Sequence, residues 1–434
     1  MSIAMNLSAP PVVHRLIHGF AWTMLGSVAA RGGAFVGMVL AGRVLGTEDY
    51  GRLGALLNTV GLLGVVAGFG LGLTATTWIS RLRTSDPLRA GRLAGALVKA
   101  GATTGTALTV VLAATAWWMA TAVFRDPALA FPLAVGAALI PFNVVFGIQS
   151  GVITGCGNFA RLAGANLVAG LTSLPAAWLG AWLHGLPGAA IGMVLAQGLT
   201  CWWTSRAVRA TLTEAALTYD SSGWWREWRL MLGFSLPAAL ASIMVIPVNW
   251  MSTAWLVRSS GFTELGLYSA GNSWRMLILF IPLQFVTVSL PSMADARERG
   301  DRRTFYRTCM LSLAIAGGVA VAVAGVVALA AKPMLAVFGQ GFSGGTAALV
   351  ILAWSAVPMA VNNVLGAALN GAGVPWRNAA ATSIYGVIAL AALAYVPATA
   401  LGLAWAQLIA CTLTTVVYAF LIAKLSFATR ETLP

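Results

Sequence analysis

The apolar residues of this chain fall into long runs that are separated by short polar segments. Twelve runs are long enough to cross a bilayer as helices, since a crossing needs roughly 20 mostly apolar residues. We number these runs spans 1 to 12; they cover approximately residues 20–42, 52–80, 93–119, 128–151, 162–183, 189–210, 229–257, 265–291, 308–331, 346–369, 378–397 and 400–423. The pattern predicts an all-α polytopic membrane protein with about twelve transmembrane helices.

Composition supports a membrane protein and excludes two other classes. The chain is 59% hydrophobic and 9% charged, whereas soluble domains are about 45–50% apolar and about 25% charged. A soluble enzyme is therefore excluded, as is a disordered chain, which needs low hydrophobicity and high charge. The net charge of +14 would suggest nucleic acid in a soluble protein. Here the charges lie mostly in short loops, so we expect no nucleic-acid partner.

The distribution of lysine and arginine predicts the orientation. Most of these residues lie near the two termini and in the loops after spans 2, 4, 6, 8 and 10, and few lie in the opposite loops. Short positive loops stay in the cytoplasm, so both termini are predicted to be cytoplasmic. The longest outer loop, residues 332–345, is too short to hold a catalytic domain.

Two halves of the chain share a pattern of loop residues. The loop after span 4 recurs after span 10, and a Thr-Glu pair after span 1 recurs after span 7 at the same spacing. The matched pairs are Gly155 and Gly371, Gly157 and Gly373, Arg161 and Arg377, Thr47 and Thr263, and Glu48 and Glu264. The pattern predicts two parallel six-helix repeats, residues 1–210 and 229–434, around a central cavity near the midplane.

Residues 211–228 are predicted to link the two repeats. This segment holds Trp224, Trp225 and Trp228 beside charged residues. Such a pattern is typical of a helix lying in the membrane interface. An ordinary aromatic belt and loop explains the same residues equally well.

Four cations enter the spans, whereas all the carboxylates lie in loops or at helix ends. Arg31 is in the middle of span 1, about 16 Å from either interface, and Arg275 lies inside span 8. Arg52 opens span 2, and Lys99 is near enough to the cytoplasmic end of span 3 to snorkel. A buried charge is costly, and an arginine without a carboxylate partner suits a phosphate, because its fork binds two oxygens. We therefore predict a cationic substrate site, with a purely structural role as the alternative for each residue and as the favoured one for Lys99.

Several asparagines lie at membrane depth beside these cations. Asn272 precedes Arg275 by three residues, so both side chains share one face of a helix. Asn249, Asn58 and Asn143 are further candidates for lining the cavity, although hydrogen bonding between helices is the commoner role of such residues.

Motifs for catalysis and cofactors are missing from the sequence. The four cysteines are isolated, without a Cys-x-x-Cys pair or a Cys/His cluster. There is no phosphate-binding loop, no Gly-x-Ser-x-Gly and no His-Glu-x-x-His motif. We therefore expect no enzyme activity, no metal and no cofactor.

Several motifs resemble those of a known family. The run Gly42-Arg43-Val44-Leu45-Gly46-Thr47-Glu48-Asp49-Tyr50-Gly51, the run Gly68-Phe69-Gly70-Leu71-Gly72, the charged loop after span 2 and the repeated Gly-x-Gly-x-x-x-Arg loops resemble Wzx-type polysaccharide flippases. These belong to the multidrug/oligosaccharidyl-lipid/polysaccharide (MOP) exporter superfamily. The resemblance covers the whole chain in architecture.

The resemblance implies a function, a location and partners. It implies that the protein moves an undecaprenyl-diphosphate-linked oligosaccharide from the cytoplasmic to the periplasmic leaflet of the bacterial inner membrane by alternating access. The product would serve O-antigen (lipopolysaccharide), capsule or exopolysaccharide assembly. Partners would be the lipid-linked oligosaccharide, membrane lipid, and a polymerase and chain-length regulator of the same pathway.

The related lipid II flippases imply a role for three of the cations. They are similar in fold and place essential arginines on helices 1, 2 and 8, which here are the spans of Arg31, Arg52 and Arg275. They also carry two helices that this chain lacks.

Two other functions stay open at this point. A multidrug exporter of the same superfamily would need carboxylates within the membrane to bind cationic drugs. An O-antigen polymerase or ligase embedded in the membrane would need a large outer loop with catalytic residues. Neither feature is present in the sequence.

Overall fold

The computed structural model describes residues 11–220 and 245–425, and these residues form helices joined by short turns. We label the helices in chain order: α1 (Pro11–Gly68), α2 (Leu71–Ser85), α3 (Pro87–Trp118), α4 (Ala130–Gly136), α5 (Leu139–Gly155), α6 (Phe159–Glu214), α7 (Ile246–Glu298), α8 (Arg302–Leu329), α9 (Ala331–Ala336), α10 (Thr346–Gly371), α11 (Pro375–Ala392) and α12 (Ala400–Ala423). Within the described ranges there is no strand. The prediction of an all-α polytopic membrane protein is confirmed.

Three of these helices each contain all or part of two predicted spans, because they turn at a glycine. Gly46 in α1, Gly185 in α6 and Gly261 in α7 have φ of 73°, 60° and 83°. This left-handed region is open to glycine and closed to most other residues. The described helices give seven segments long and apolar enough to cross a membrane, and two of them, Gly26–Ser85 and Phe159–Glu214, are long enough to cross it more than once.

Span 2 is not a continuous helix, so its prediction over residues 52–80 is wrong in one respect. Phe69 and Gly70 have φ of 41° and 71°, and these left-handed residues separate α1 from α2. Span 4 is likewise divided, into α4 and α5. Hydropathy measures only the length of an apolar run, so it cannot detect a break between two apolar pieces.

The chain divides into two compact units, which differ slightly from the predicted halves. Of the described residues, the first unit contains 11–38, 63–115 and 133–220. Small residues let its helices approach closely: α1 packs on α6 through Gly26, Gly33 and Gly37, where an added Cβ would strike the α6 backbone.

Of the described residues, the second unit contains 39–62, 116–132 and 245–425. Its core lies between α7, α8, α10 and α12, where Met293, Phe305 and Tyr418 meet. The unit also includes the turn between spans 1 and 2. The predicted linker 211–228 stays a prediction, and Trp224, Trp225 and Trp228 lie outside the described residues.

The turns in the two predicted repeats share a backbone geometry. Gly46 and Gly261 have the same extended ψ of −178° beside similar φ values. Aligning these turns pairs Gly51 with Gly266, whereas the predicted match pairs Thr47 with Thr263 and Glu48 with Glu264, one residue further along the second repeat. The two repeats and this match stay predictions.

Candidate functional site

Arg275 is the most deeply buried of the predicted site residues. It lies inside α7 with 3% of its surface exposed. Its Nε donates a hydrogen bond to Oδ1 of Asn272, 3.0 Å away, so the predicted shared helix face is observed. Its Nη1 is buried and has no hydrogen-bond partner. Because a charged donor removed from water is costly until it is paired, this position lacks one acceptor.

Three neutral side chains that can donate hydrogen bonds lie near Arg275. Tyr268, two turns earlier on α7, Tyr385 of α11 and Cys411 of α12 lie close enough to interact electrostatically with the guanidinium. The hydroxyl oxygen of Tyr385 accepts a hydrogen bond from Nε2 of Gln407 at 2.6 Å, which leaves its own proton free to be donated. None of the ion pairs among the described residues includes Arg275. This chemistry suits an anion.

Arg52 has a different environment, because carboxylates surround it. Its Nε, Nη1 and Nη2 donate to Asp126 at 2.6 Å, Asp49 at 2.6 Å and Glu48 at 2.7 Å. The guanidinium also lies 5.4 Å from the ring centre of Phe262. Three carboxylates outnumber one cation, so this cluster repels a phosphate. The predicted role of Arg52 as a substrate ligand is not supported by these contacts.

Arg31, Lys99 and Asn143 belong to the first unit, and all three are exposed. α1 packs on α6 through the face that holds Gly26, Gly33 and Gly37. At 3.6 residues per turn, Arg31 lies about 140° around the helix from the centre of that seam. Its side chain therefore lies on the face of α1 opposite that seam. Lys99 is on α3 and Asn143 on α5, and their predicted role stays a prediction.

The remaining asparagines lie in the second unit. The Nδ2 of Asn58 donates to the carbonyl of Gly54 in its own helix at 3.0 Å. Asn249 is half-buried near the start of the described part of α7. Of the predicted asparagines, Asn272 is therefore hydrogen-bonded to Arg275. Asn58 is hydrogen-bonded within its own helix.

Sequence reasoning missed the residues that complete these two clusters. Tyr268 stands seven residues before Arg275, and Asp49 three before Arg52, so helical spacing could have identified both. Tyr385 and Asp126 come from distant segments and carry no local signal. Within the described ranges, no three His, Cys, Asp or Glu side chains form a metal-binding group.

The arrangement of the helices is similar to that of solved membrane transporters. It matches a solved structure described as the inward-facing conformation of a multidrug resistance MATE family transporter of the MOP superfamily. The TM-score is 0.76 over 92% of this chain and 97% of that chain, with 15% sequence identity. At this identity the likeness shows the fold alone.

The chain belongs to the polysaccharide biosynthesis protein family, whose model matches residues 16–297. Two relatives are each named EPS I polysaccharide export inner membrane protein EpsE. The one from Ralstonia solanacearum is 32% identical over 193 residues, 43% of this chain and 44% of the relative. The one from Ralstonia nicotianae is 30% identical over 182 residues, 40% of this chain and 41% of the relative. The match thus spans less than half the length of either relative, and the predicted resemblance to polysaccharide exporters is confirmed.

Proposed function

We propose that this protein is a flippase for an undecaprenyl-diphosphate-linked oligosaccharide, which it moves from the cytoplasmic to the periplasmic leaflet of the bacterial inner membrane. The observation that carries the proposal is Arg275: a guanidinium buried in a membrane helix, with one unpaired nitrogen and neutral donors around it. Family membership and the polysaccharide-export names of the relatives support the same class of cargo.

The proposed mechanism uses Arg275 as the ligand of the diphosphate. The guanidinium fork receives two phosphate oxygens, while Asn272 holds Nε and thereby fixes the plane of the fork. Tyr268 and Tyr385 donate to the remaining oxygens, and the lipid tail stays in the bilayer. The cargo is taken up from the cytoplasmic side and released outside by alternating access. With the interior negative, outward movement of an anion is downhill by about 2.3 kcal/mol per charge per 100 mV.

Among the alternatives, drug export and polymerisation have less support. Most carboxylates in the described part of the chain either pair with arginines or cap the start of a helix. Asp86 and Asp301 are caps, because they accept hydrogen bonds from the backbone N–H groups of Arg89 and Thr304. These carboxylates are therefore poorly placed to bind cationic drugs. The predicted outer loop 332–345 is occupied by α9 and a short 3-10 turn at Gln340–Gly345, which leaves little room for a catalytic domain. A polymerase and a chain-length regulator remain proposed partners, and both termini remain proposed to be cytoplasmic.

The experiment that tests this function resolves lipid-linked sugars by leaflet in cells that lack the protein. We expect intact lipid-linked units to accumulate in the cytoplasmic leaflet. Expression of the wild type should clear them, whereas Arg275→Gln should not. Arg377→Gln is the matched control, because Arg377 is exposed in the first turn of α11, and it should behave as the wild type does.

Two results would contradict the proposal. Accumulation of single units in the periplasmic leaflet would indicate a polymerase or ligase. No accumulation in either leaflet would exclude a lipid-linked cargo and favour export of small molecules.

A further inference from the structure

Span 2 contains a break between two helices at Phe69–Gly70. α1 ends at Gly68, where the N–H of Phe69 still donates to the carbonyl of Val65 at 3.0 Å, and Phe69 and Gly70 both have left-handed φ, 41° and 71°. This conformation is strained for a bulky residue such as phenylalanine. The equivalent part of span 8 is continuous helix, because α7 runs unbroken from its turn at Gly261 to Glu298. The break is thus particular to the first repeat.

Beyond this break, the outer end of span 2 meets the outer end of span 8 through glycine. A Cβ on Gly51 would collide with the carbonyl of Phe262, and one on Gly266 with the carbonyl of Thr47. One turn further in, a Cβ on Gly54 would lie 2.6 Å from Oγ of Ser269. The two helix ends therefore touch backbone to backbone, with no room for a side chain between them.

Aromatic rings pack against one another in the second unit near this glycine contact. Tyr50 is 1% exposed, and its ring lies edge-on to those of Phe338 and Phe342, with centroids 5.6 Å apart in both pairs. Phe124 likewise packs edge-on against Trp250 at 6.3 Å. All these residues lie within the second unit, and their rings pack around the residue that precedes Gly51 and across the segment between spans 3 and 4.

The Arg52 cluster fastens the outer part of span 2 in this position. Arg52 joins span 2 to Asp126, in the segment between spans 3 and 4, and stacks on Phe262 of α7. At the equivalent position of the second repeat stands Leu267, which packs against Gly345. Because the repeat folds with leucine there, the fold alone does not require an arginine with three carboxylates.

We propose that residues 52–68 form a hinged gate helix that swings about Phe69–Gly70, and that Arg52 latches it closed through Asp126 and Phe262 instead of binding cargo. The gate lies at the end that the charge pattern predicts to be outside. The proposal rests on the protein being a transporter, but it is independent of the cargo.

The test measures access to Ser269 from outside the cell. A Ser269→Cys reporter, in an otherwise cysteine-free chain that still transports, is reacted with a membrane-impermeant maleimide in right-side-out vesicles. Adding Gly51→Ala should speed labelling about tenfold, equivalent to about 1.4 kcal/mol of bias toward the open state. Gly61→Ala is the matched control on the same helix, because a Cβ there meets nothing within 4 Å, and it should leave the rate unchanged.

A second set of variants tests the latch without adding steric bulk. Arg52→Gln and Asp126→Asn should each speed labelling of the reporter, and the double variant should label no faster than either single one, because both remove the same link. A residue that only bound cargo would reduce transport and leave labelling unchanged.

These measurements separate failure of the gate from failure of the proposed cargo. Equal labelling of folded, monodisperse Gly51→Ala and Gly61→Ala variants would overturn the gate. Additive effects of Arg52→Gln and Asp126→Asn would overturn the latch. Neither readout depends on lipid-linked sugar, so the gate stands or falls even if the cargo is another molecule.

Discussion

At the scale of single residues, the defining feature is a cation with an incomplete set of partners. Asn272 accepts from Nε of Arg275, but an amide oxygen carries no charge to offset the guanidinium. The unpaired Nη1 keeps the position ready for an anion at a cost in stability. Arg52, with its three carboxylates, is the opposite case.

This contrast predicts the effect of Asn272→Asp. A carboxylate at this position would pair with Arg275 and take the place of the cargo phosphate. We expect transport to fall at least about tenfold, a loss of about 1.4 kcal/mol or more in binding, while thermal stability in detergent is maintained or rises. The measurement is lipid-linked sugar clearance beside the unfolding temperature of the purified variants.

Asn272→Leu is the matched control for this prediction. It removes the amide acceptor of Arg275 at the same position without adding a charge, so it should lower stability by leaving the guanidinium with one partner fewer and should reduce transport less than Asn272→Asp does. Equal transport by Asn272→Asp and the wild type would contradict phosphate binding at Arg275.

Some of this chemistry was open to prediction from the sequence, and some was not. An arginine inside an apolar run identifies Arg275, and a spacing of three identifies its contact with Asn272. The positions of Tyr385 and Asp126 depend on which distant helices pack together. One sequence without a structure carries no such information.

At the scale of the helices, spans defined by hydropathy agree with the structure where a polar turn marks each end. The predicted span over residues 400–423 coincides with α12, Ala400–Ala423. Span 2 fails this rule at Phe69–Gly70, because both sides of the break are apolar. The glycines of the Gly42–Gly51 motif can also be recognised in the sequence. Only the structure shows their roles, which are a turn at Gly46 and a close contact between helices at Gly51.

The start of α12 gives a prediction for helix stability. The Oγ1 of Thr399 accepts from the backbone N–H of Gly402 at 3.1 Å, and a carboxylate oxygen of Glu264 accepts from that of Ala400 at 2.6 Å. Thr399→Ala should lower the free energy of unfolding by about 1 kcal/mol, the usual cost of losing an N-cap. Thermal unfolding in detergent measures this change.

Thr412→Ala provides the comparison for the cap. Thr412 is exposed in the interior of the same helix, where its hydroxyl bonds to the carbonyl of Leu408, and alanine is the better helix former. We expect little change or a slight gain in stability. If Thr412→Ala lowered the free energy of unfolding as much as Thr399→Ala does, the loss at Thr399 could not be attributed to the helix cap.

At the scale of the whole molecule, orientation is the feature that the charge pattern predicts and that contacts cannot test. Cys156 offers a native probe, because it lies in the turn after α5 and is partly exposed, whereas the other three cysteines are buried. The loop is predicted to be cytoplasmic. A membrane-impermeant maleimide should therefore label Cys156 in inverted vesicles and leave it unlabelled in right-side-out vesicles.

The pH dependence of this labelling follows from the surroundings of the thiol. Burial raises the pKa of Cys156 above its ordinary value of 9.0, and the charge of Arg83 lowers that pKa only in part. Since the thiolate is the reactive form, labelling should be slow at neutral pH and still be rising at pH 9. A Cys156→Ser background with Ser343→Cys, exposed in the Gln340–Gly345 turn, should give the opposite sidedness. Labelling of Cys156 from outside would contradict the predicted orientation. The gate proposed at Arg52 would then lie on the cytoplasmic side.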